Sequence, residues 1–258
     1  MRDNRGYLNI KAGAMQRYIL WHYMASVTNH IRVTEFPKSG GTWLCQMLAA
    51  LLNLPFPRNQ AMTWRQGIFH SHYAGPSGNT KTILLVRDGR DVMVSAYYHF
   101  IVGHDLNPSF LTKQWRKKLG AKDFQNIEKH LPVFINIFFT HFKVGGLVMN
   151  WSSYIDSFDL NSPYIYVVKY EDLLQDCVTT MHILLNWLNY SSISEERINK
   201  VVAEFSFQNI TGRSAGDEDS SQFLRKGIAG DWKNVFTEEA KLLFENWAKP
   251  QLKILEYE

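Results

Sequence analysis

Apolar positions along this chain fall into two rhythms, one helical and one of short unbroken runs. AMQRYILWHYMASV, residues 14–27, spaces its apolar side chains as a helix does. HIRVTEF, residues 30–36, alternates, is rich in β-branched residues and predicts a short strand. TWLCQMLAALLNL, residues 42–54, predicts a strongly apolar helix stopped by Pro55 and Pro57. KTILLVRD, residues 81–88, is continuously apolar, as a strand buried on both faces of a parallel sheet must be. A helix is predicted after it over RDVMVSAYYHFIVG, residues 90–103. SPYIYVVKYED, residues 162–172, reads as a third buried strand with an acidic exit, followed by one amphipathic helix over residues 172–190. SEERINKVVAEFS, residues 194–206, predicts a helix that begins at Ser194, with Glu195 and Glu196 placed to favour its dipole. Residues 102–150 have a less regular pattern and predict helices and loops laid over the carboxyl edge of the sheet. Strands alternating with helices argue an α/β fold, a central parallel sheet flanked by helices, in a single domain over residues 1–258. Such sheets bind ligands at their carboxyl edge.

Composition narrows the function classes. A chain of 258 residues with 45% hydrophobic content buries one large core, and 14% aromatic residues suit either a bulky core or an apolar pocket. The net charge of +4 suits an anionic small molecule. No run of five or six like charges exists, and the densest basic stretch, QWRKKLGAK at residues 114–122, reads as a solvated helix face, so no nucleic-acid partner is expected. Cys45 and Cys177 form no C-x-x-C pair, which argues against a disulfide framework and a zinc site and fits a reducing compartment. The apolar runs are shorter than the ~20 residues of a bilayer span. MRDNRGYLNIKAG lacks the apolar core of a signal peptide. A cytoplasmic protein with no membrane span is expected.

The stretch between the first strand and the apolar helix, FPKSGGTW at residues 36–43, carries phosphate-binding chemistry. Gly40 and Gly41 allow a tight turn and close approach to a ligand. Backbone N–H groups from Ser39 to Trp43 lie at a helix start, where the dipole attracts an anion. Ser39 and Thr42 add hydroxyls, and Trp43 offers a ring face for a base. Lys38 precedes the glycines, whereas in a nucleoside-triphosphate loop the lysine follows them. A plain turn before a core helix, with Lys38 solvated, is the alternative. Two further stretches point the same way. Arg87 at a strand end and Ser95 eight positions on can face one phosphate, and Arg225, Lys226 and Gly227 put two cations beside a glycine.

These three stretches together resemble the soluble sulfotransferase family, which uses 3′-phosphoadenosine 5′-phosphosulfate (PAPS). FPKSGGTW is similar to its Y-P-K-S-G-T-T-W loop, RDGRDVMVSAYY to R-x-x-x-D-V-x-V-S-x-Y-Y, and RKGIAGDWKNVF to R-K-G-x-x-G-D-W-K-N-x-F. The resemblance implies that Ser39, Gly40, Gly41, Thr42 and Trp43 bind the 5′-phosphate. Lys38 then neutralises charge on the leaving phosphate, while Arg87, Ser95, Arg225, Lys226 and Gly227 hold the 3′-phosphate. It further implies that Trp43 stacks on adenine, Tyr170 bonds its edge and Phe207 covers its other face. No metal is needed, because arginine and lysine supply the countercharge.

In the family a histidine segment precedes the arginine strand. IFHSHYAGP, residues 68–76, takes that place, with His72 matching the histidine and His70 a lysine position on the acceptor side. Imidazole suits removal of a proton from the attacking hydroxyl or amine. The implied catalytic set is Lys38, His72 and Ser95. A metal held by His70 and His72, or a histidine pair without a role, are the competing readings. Other departures touch the acceptor side and assembly. Gly41 replaces a threonine and is expected to loosen the loop, and Phe205 stands where a threonine contacts adenine. The family dimer motif is broken after Lys233 and Thr237 by Glu238 and Leu242, so a monomer or a different dimer is expected. The acceptor is a small molecule, a lipid or a sugar. A P-loop kinase-like phosphotransferase and a non-catalytic nucleotide-binding protein are the rival functions.

Overall fold

The computed structural model describes residues 7–58, 60–62, 66–75, 78–103, 109–144, 147–222 and 224–258. They form two compact units. The first comprises Met1–Glu35, Gly40–Val86 and Phe158–Phe205. It contains helix α1 (Tyr7–His22), strand β1 (Ile31–Glu35), α2 (Gly41–Leu52), β2 (Ile68–Ser71) and β3 (Thr82–Val86). The second comprises Phe36–Ser39, Arg87–Ser157 and Ser206–Glu258. It opens after β3 with α3 (Gly89–Tyr97), α4 (Phe110–Leu119), α5 (Ile127–His141), β4 (Lys143–Val144), β5 (Leu147–Val148) and α6 (Trp151–Asp156). The chain then returns to the first unit for β6 (Ile165–Lys169), α7 (Tyr170–Gln175), α8 (Cys177–Trp187) and α9 (Glu195–Glu204). It ends in the second with α10 (Phe207–Thr211) and α11 (Glu238–Ile254).

The sheet of the first unit has the order β2-β1-β3-β6 and is parallel throughout. β1 and β3 are buried along their whole length. β3 accordingly runs apolar after Thr82, whereas β1 alternates and buries Arg32, Thr34 and Glu35. Leu44, Cys45, Met47, Leu48 and Leu51 of α2 pack on Ile31, Val33, Ile83, Leu85 and Val168 of the sheet. Burial of side chains of this size stabilises by roughly 1.5–3 kcal/mol each. The fold class read from the sequence is the one observed.

Two predicted elements differ. The fourth strand, β2, was not expected as a strand: only Ile68, Phe69, His70 and Ser71 form it, and two of the four are polar. The helix predicted over residues 172–190 is two helices. Asp176 leaves the helical region at φ −148° and caps α8 by accepting the Thr179 N–H, so a local side-chain bond outcompetes one continuous ladder.

In the second unit α3 continues into a π-helical turn, Tyr98–Val102, that presents Tyr98 and His99 to one side. Wide turns of this kind gather at functional sites. Residues 109–144 supply two helices, α4 and α5, as the sequence suggested; residues 104–108 and 145–146 of the irregular segment lie outside those described. Phe36 packs among Phe138, Phe142 and Tyr154, so the residue before the lysine loop is an anchor in the aromatic core of this unit.

Candidate functional site

Within the second unit, segments far apart in sequence meet at Arg87. Its guanidinium donates to the Lys38 carbonyl and to the Ile228 carbonyl, each at 3.3 Å. One side chain thus joins the lysine loop, the end of β3 and the loop carrying Arg225 and Lys226. Asp91, one turn further along α3, lies 3.9 Å from Arg87 and accepts the N–H groups of Gly230 and Trp232 at 2.6 and 2.9 Å. Burial pushes the Asp91 carboxyl up, even though Arg87 and these two N–H groups work the other way.

Arg225 and Lys226 are held by carboxylates. Asp231 binds Arg225 and lies 2.7 Å from the Lys226 ammonium, while Glu218 lies 2.8 Å from Arg225 and 3.7 Å from Lys226. Burial opposes the charge on Arg225, but the hydrogen bonds and charges of Asp231 and Glu218 outweigh it and raise its pKa. The Tyr98 ring lies under the guanidinium at 4.4 Å. Gly227 has φ +66°, and a Cβ there would enter the Phe207 ring, so only glycine fits. Phe207 is itself covered by the Arg213 guanidinium, 5.2 Å from its centroid.

A cavity of about 260 Å³ opens in this unit, lined by Lys38, Ser95, Tyr98, His99, Thr112 and Arg225 among others. Each of the three sequence stretches contributes a polar side chain to it. Lys38 adopts φ 81°, a left-handed conformation unusual for lysine. The Ser39 hydroxyl is buried and donates to the Phe36 carbonyl at 2.8 Å, closing the turn.

Within the first unit, Glu35, His70 and His72 come together at the carboxyl ends of β1 and β2. Glu35 Oε1 lies 3.1 Å from His70 Nε2, and the Glu35 carbonyl lies 3.1 Å from His72 Nδ1. Glu35 also accepts the Gly41 N–H at the start of α2. Burial would raise the Glu35 carboxyl, but the His70 hydrogen bond, the two imidazoles and the Gly41 N–H together hold it below the usual range. Burial pushes the His72 pKa down, opposed by Glu35 and reinforced by His70. β1 thus delivers a carboxylate to the two histidines, and the three groups each offer a ligand-type atom within 4.8 Å of the others. The fold corrects the expectation of a looser loop at Gly41. That N–H is tied to Glu35, and a Cβ would stand 2.6 Å from both the Glu35 carboxyl carbon and His70 Nε2.

Gly40 is the N-cap of α2, and Thr42 is its second residue. Trp43 donates its Nε1–H to the Phe205 carbonyl at 2.7 Å and meets the Tyr170 ring edge-on at 6.0 Å. Sequence reasoning missed Glu35, Asp91 and Asp231. Their signal was an acid at the end of a buried strand, or an acid inside a motif read only for its cations.

The first unit holds a strand–glycine loop–helix on a parallel sheet, and the second a cavity lined by Lys38, Ser95 and Arg225 among others, in an α/β protein. Comparison with known proteins makes the class specific. The sulfotransferase domain profile matches residues 59–256, about three quarters of the chain. Mouse sulfotransferase 1B1 is 28% identical, over 82% of this chain and 79% of its own length. Human sulfotransferase 1E1 is 28% identical, over 67% of this chain and 55% of its own. Among solved structures, mouse sulfotransferase SULT7A1 complexed with PAP superposes with a TM-score of 0.64 at 17% identity, covering 93% of this chain and 88% of that one. Retinol dehydratase in complex with androsterone and the inactive cofactor PAP gives a TM-score of 0.63 at 17% identity, over 94% and 86%. The chain belongs to the sulfotransferase family. It is an enzyme of sulfuryl transfer, and the kinase-like alternative is not favoured.

Proposed function

We propose that this enzyme moves the sulfuryl group from PAPS to a hydroxyl or amine of a small-molecule, lipid or sugar acceptor by in-line displacement. The observation that carries the reading is the convergence of the three motif segments on Arg87 and on one cavity. In this reading Arg87, Ser95, Arg225, Lys226 and Gly227 receive the 3′-phosphate, with the half-exposed Glu218 giving up its place to it. Ser39, Gly40, Gly41, Thr42 and Trp43 receive the 5′-phosphate. Trp43, Tyr170 and Phe207 address the adenine. Lys38 neutralises the charge that grows on the bridging oxygen, an interaction stronger in the transition state than in the ground state. His72 takes the acceptor's proton, Ser95 assists at the phosphate, and His70 serves the acceptor side.

When bound, PAPS supplies an activated sulfuryl group, and the chain contributes position and countercharge. The cations make a metal unnecessary, so turnover is expected to persist in chelator. Among the described residues no helix is long and apolar enough to cross a membrane. Cys45 and Cys177 are both free thiols, which supports a reducing, cytoplasmic setting. No nucleic-acid partner is invoked, and the altered dimer motif supports a monomer or a different dimer. An acceptor panel with labelled PAPS tests the reading. Transfer to at least one acceptor with release of PAP is expected; tight PAP binding without turnover on any acceptor would leave a nucleotide-binding protein instead.

A further inference from the structure

We propose that Glu35 is a positioning residue of the reaction: its carboxylate and its backbone carbonyl fix the tautomers of His70 and His72, and its charge faces the proton that His72 takes from the acceptor. The inference rests on the reading of His72 as general base.

Strand register supplies the geometry. β1 pairs with β2 as Val33 with His70 and Thr34 with Ser71, which brings Glu35 level with His72. Residues two apart on a strand share a face. His70 and His72 therefore stand side by side, their ring centroids 4.9 Å apart at 77°, with Glu35 beside both.

The hydrogen bonds then decide where protons sit. An ionised carboxylate and a backbone carbonyl only accept. His70 Nε2 must therefore donate to Glu35 Oε1, and His72 Nδ1 must donate to the Glu35 carbonyl. Neutral His72 is left with its lone pair on Nε2, the atom assigned to accept the proton. His70 has its Nε2–H committed to Glu35, which makes it a less suitable base. Both carboxylate oxygens accept N–H groups, Oε1 from His70 and Oε2 from Gly41. Each oxygen thus has an N–H partner, and Glu35 is read as an anchor for protons.

Charge completes the argument. His72 is surrounded by burial, by His70 and by the guanidinium of Arg17, which donates to the His70 carbonyl; all three resist an imidazolium. Glu35 is the neighbour that favours one. Tyr73 faces Arg17, and Cys45 faces Glu35 with its thiol pushed up by burial, so neither supplies a competing anion near neutral pH. When the acceptor attacks sulfur, its O–H or N–H bond breaks and the proton passes to His72 Nε2. The S–O bond to the phosphate breaks with its electron pair on the phosphate oxygen. Glu35 offsets the positive charge left on His72, as a buried carboxylate does behind a catalytic imidazole.

The test uses the full chain labelled with ¹⁵N in histidine, without ligand. In the unsubstituted protein His72 is expected as the Nδ1–H tautomer and His70 with its proton on Nε2. The opposite tautomer at His72 overturns the proposal without recourse to a variant. Glu35→Gln keeps an acceptor for the Gly41 N–H but removes the charge, and should lower the His72 titration by about one pH unit or more. It should also slow PAP release from PAPS in water by about 10-fold or more, while Glu35→Asp recovers part of both. An unchanged His72 titration in Glu35→Gln overturns the inference alone. An unsubstituted protein that releases no PAP from PAPS with water or with any acceptor overturns the sulfotransferase reading, and the tautomers remain a separate observation.

Discussion

Lys38 holds a backbone angle, φ 81°, that costs a side chain bearing a Cβ roughly 1–2 kcal/mol. Strain of this kind persists where the surroundings over-determine it. Here the preceding Phe36 is clamped among aromatic rings, and the Lys38 carbonyl is held by Arg87. Lys38 lines the cavity. Lys38→Gly should therefore be about 1 kcal/mol more stable to urea than Lys38→Ala. Both should lose turnover far more than PAP affinity. Near-normal turnover with weak PAP binding would make Lys38 a binding residue only. Arg225 stands in a different relation to its neighbours, because its charge is already balanced by Asp231 and Glu218. Arg225→Ala should weaken PAP by about 2–3 kcal/mol, since it removes a charge-assisted contact to a dianion. The effect on adenosine 5′-phosphosulfate, which lacks the 3′-phosphate, should be much smaller. Equal losses for the two ligands, measured by calorimetry, would remove Arg225 from the 3′-phosphate.

At the scale of elements, β1, the loop and α2 are coupled through one volume. The Glu35 carboxylate folds back to the first N–H of α2 and fills the space where a side chain at position 41 would go. Gly41→Ala alone should cost about 1–3 kcal/mol by overpacking. Glu35→Ala removes one of the two groups that crowd this Cβ and leaves His70 Nε2, so the same change should cost less, and the cycle should show a coupling of about 0.5 kcal/mol or more in urea unfolding. Additive costs would mean that the two residues do not share the space. This coupling was hidden in the sequence. Gly41 read as a lost hydroxyl, because nothing in FPKSGGTW reveals which side chain from an adjoining strand fills the glycine's place. The strands that could be read were β3 and β6, from their apolar runs, and β1, from its alternation and β-branched residues. β2 was missed because its four residues include His70 and Ser71, polar groups whose partners Glu35 and Thr34 come from a neighbouring strand. The cations that the proposed site uses stood out in the sequence because of their types and spacings. Asp91 and Asp231 were not, since their roles are to hold loops and cations that only the fold brings near.

For the molecule as a whole, the buried ionisable groups predict how stability falls in acid. His72 has a folded pKa below its ordinary value because burial disfavours the imidazolium. The unfolded chain therefore binds that proton first, and stability declines as pH falls from about 6.5 toward the lower folded value. Glu35 and Asp231 have folded pKa values below the ordinary carboxylate range. For Glu35, His70, His72 and Gly41 prevail over the cost of burial; for Asp231, Arg225 and Lys226 do so. Their contributions are fully present above about pH 4.3 and are lost as pH falls through the folded values. Asp91 opposes this trend, because burial raises its folded pKa and protonation relieves the cost. The net expectation is a melting temperature that declines in two stages between pH 8 and pH 3. The shallow stage begins near pH 6.5 and the steeper one below about pH 4.3. His72→Gln should reduce the first stage, to which His22 also contributes because burial lowers its pKa, and leave the second, whereas Asp231→Asn should lower the plateau and weaken the second. Scanning calorimetry across this range decides the matter. An unsubstituted protein and a His72→Gln variant with the same decline from pH 7.5 to 5 would mean that His72 charges as easily folded as unfolded, contrary to its burial beside His70 and Arg17.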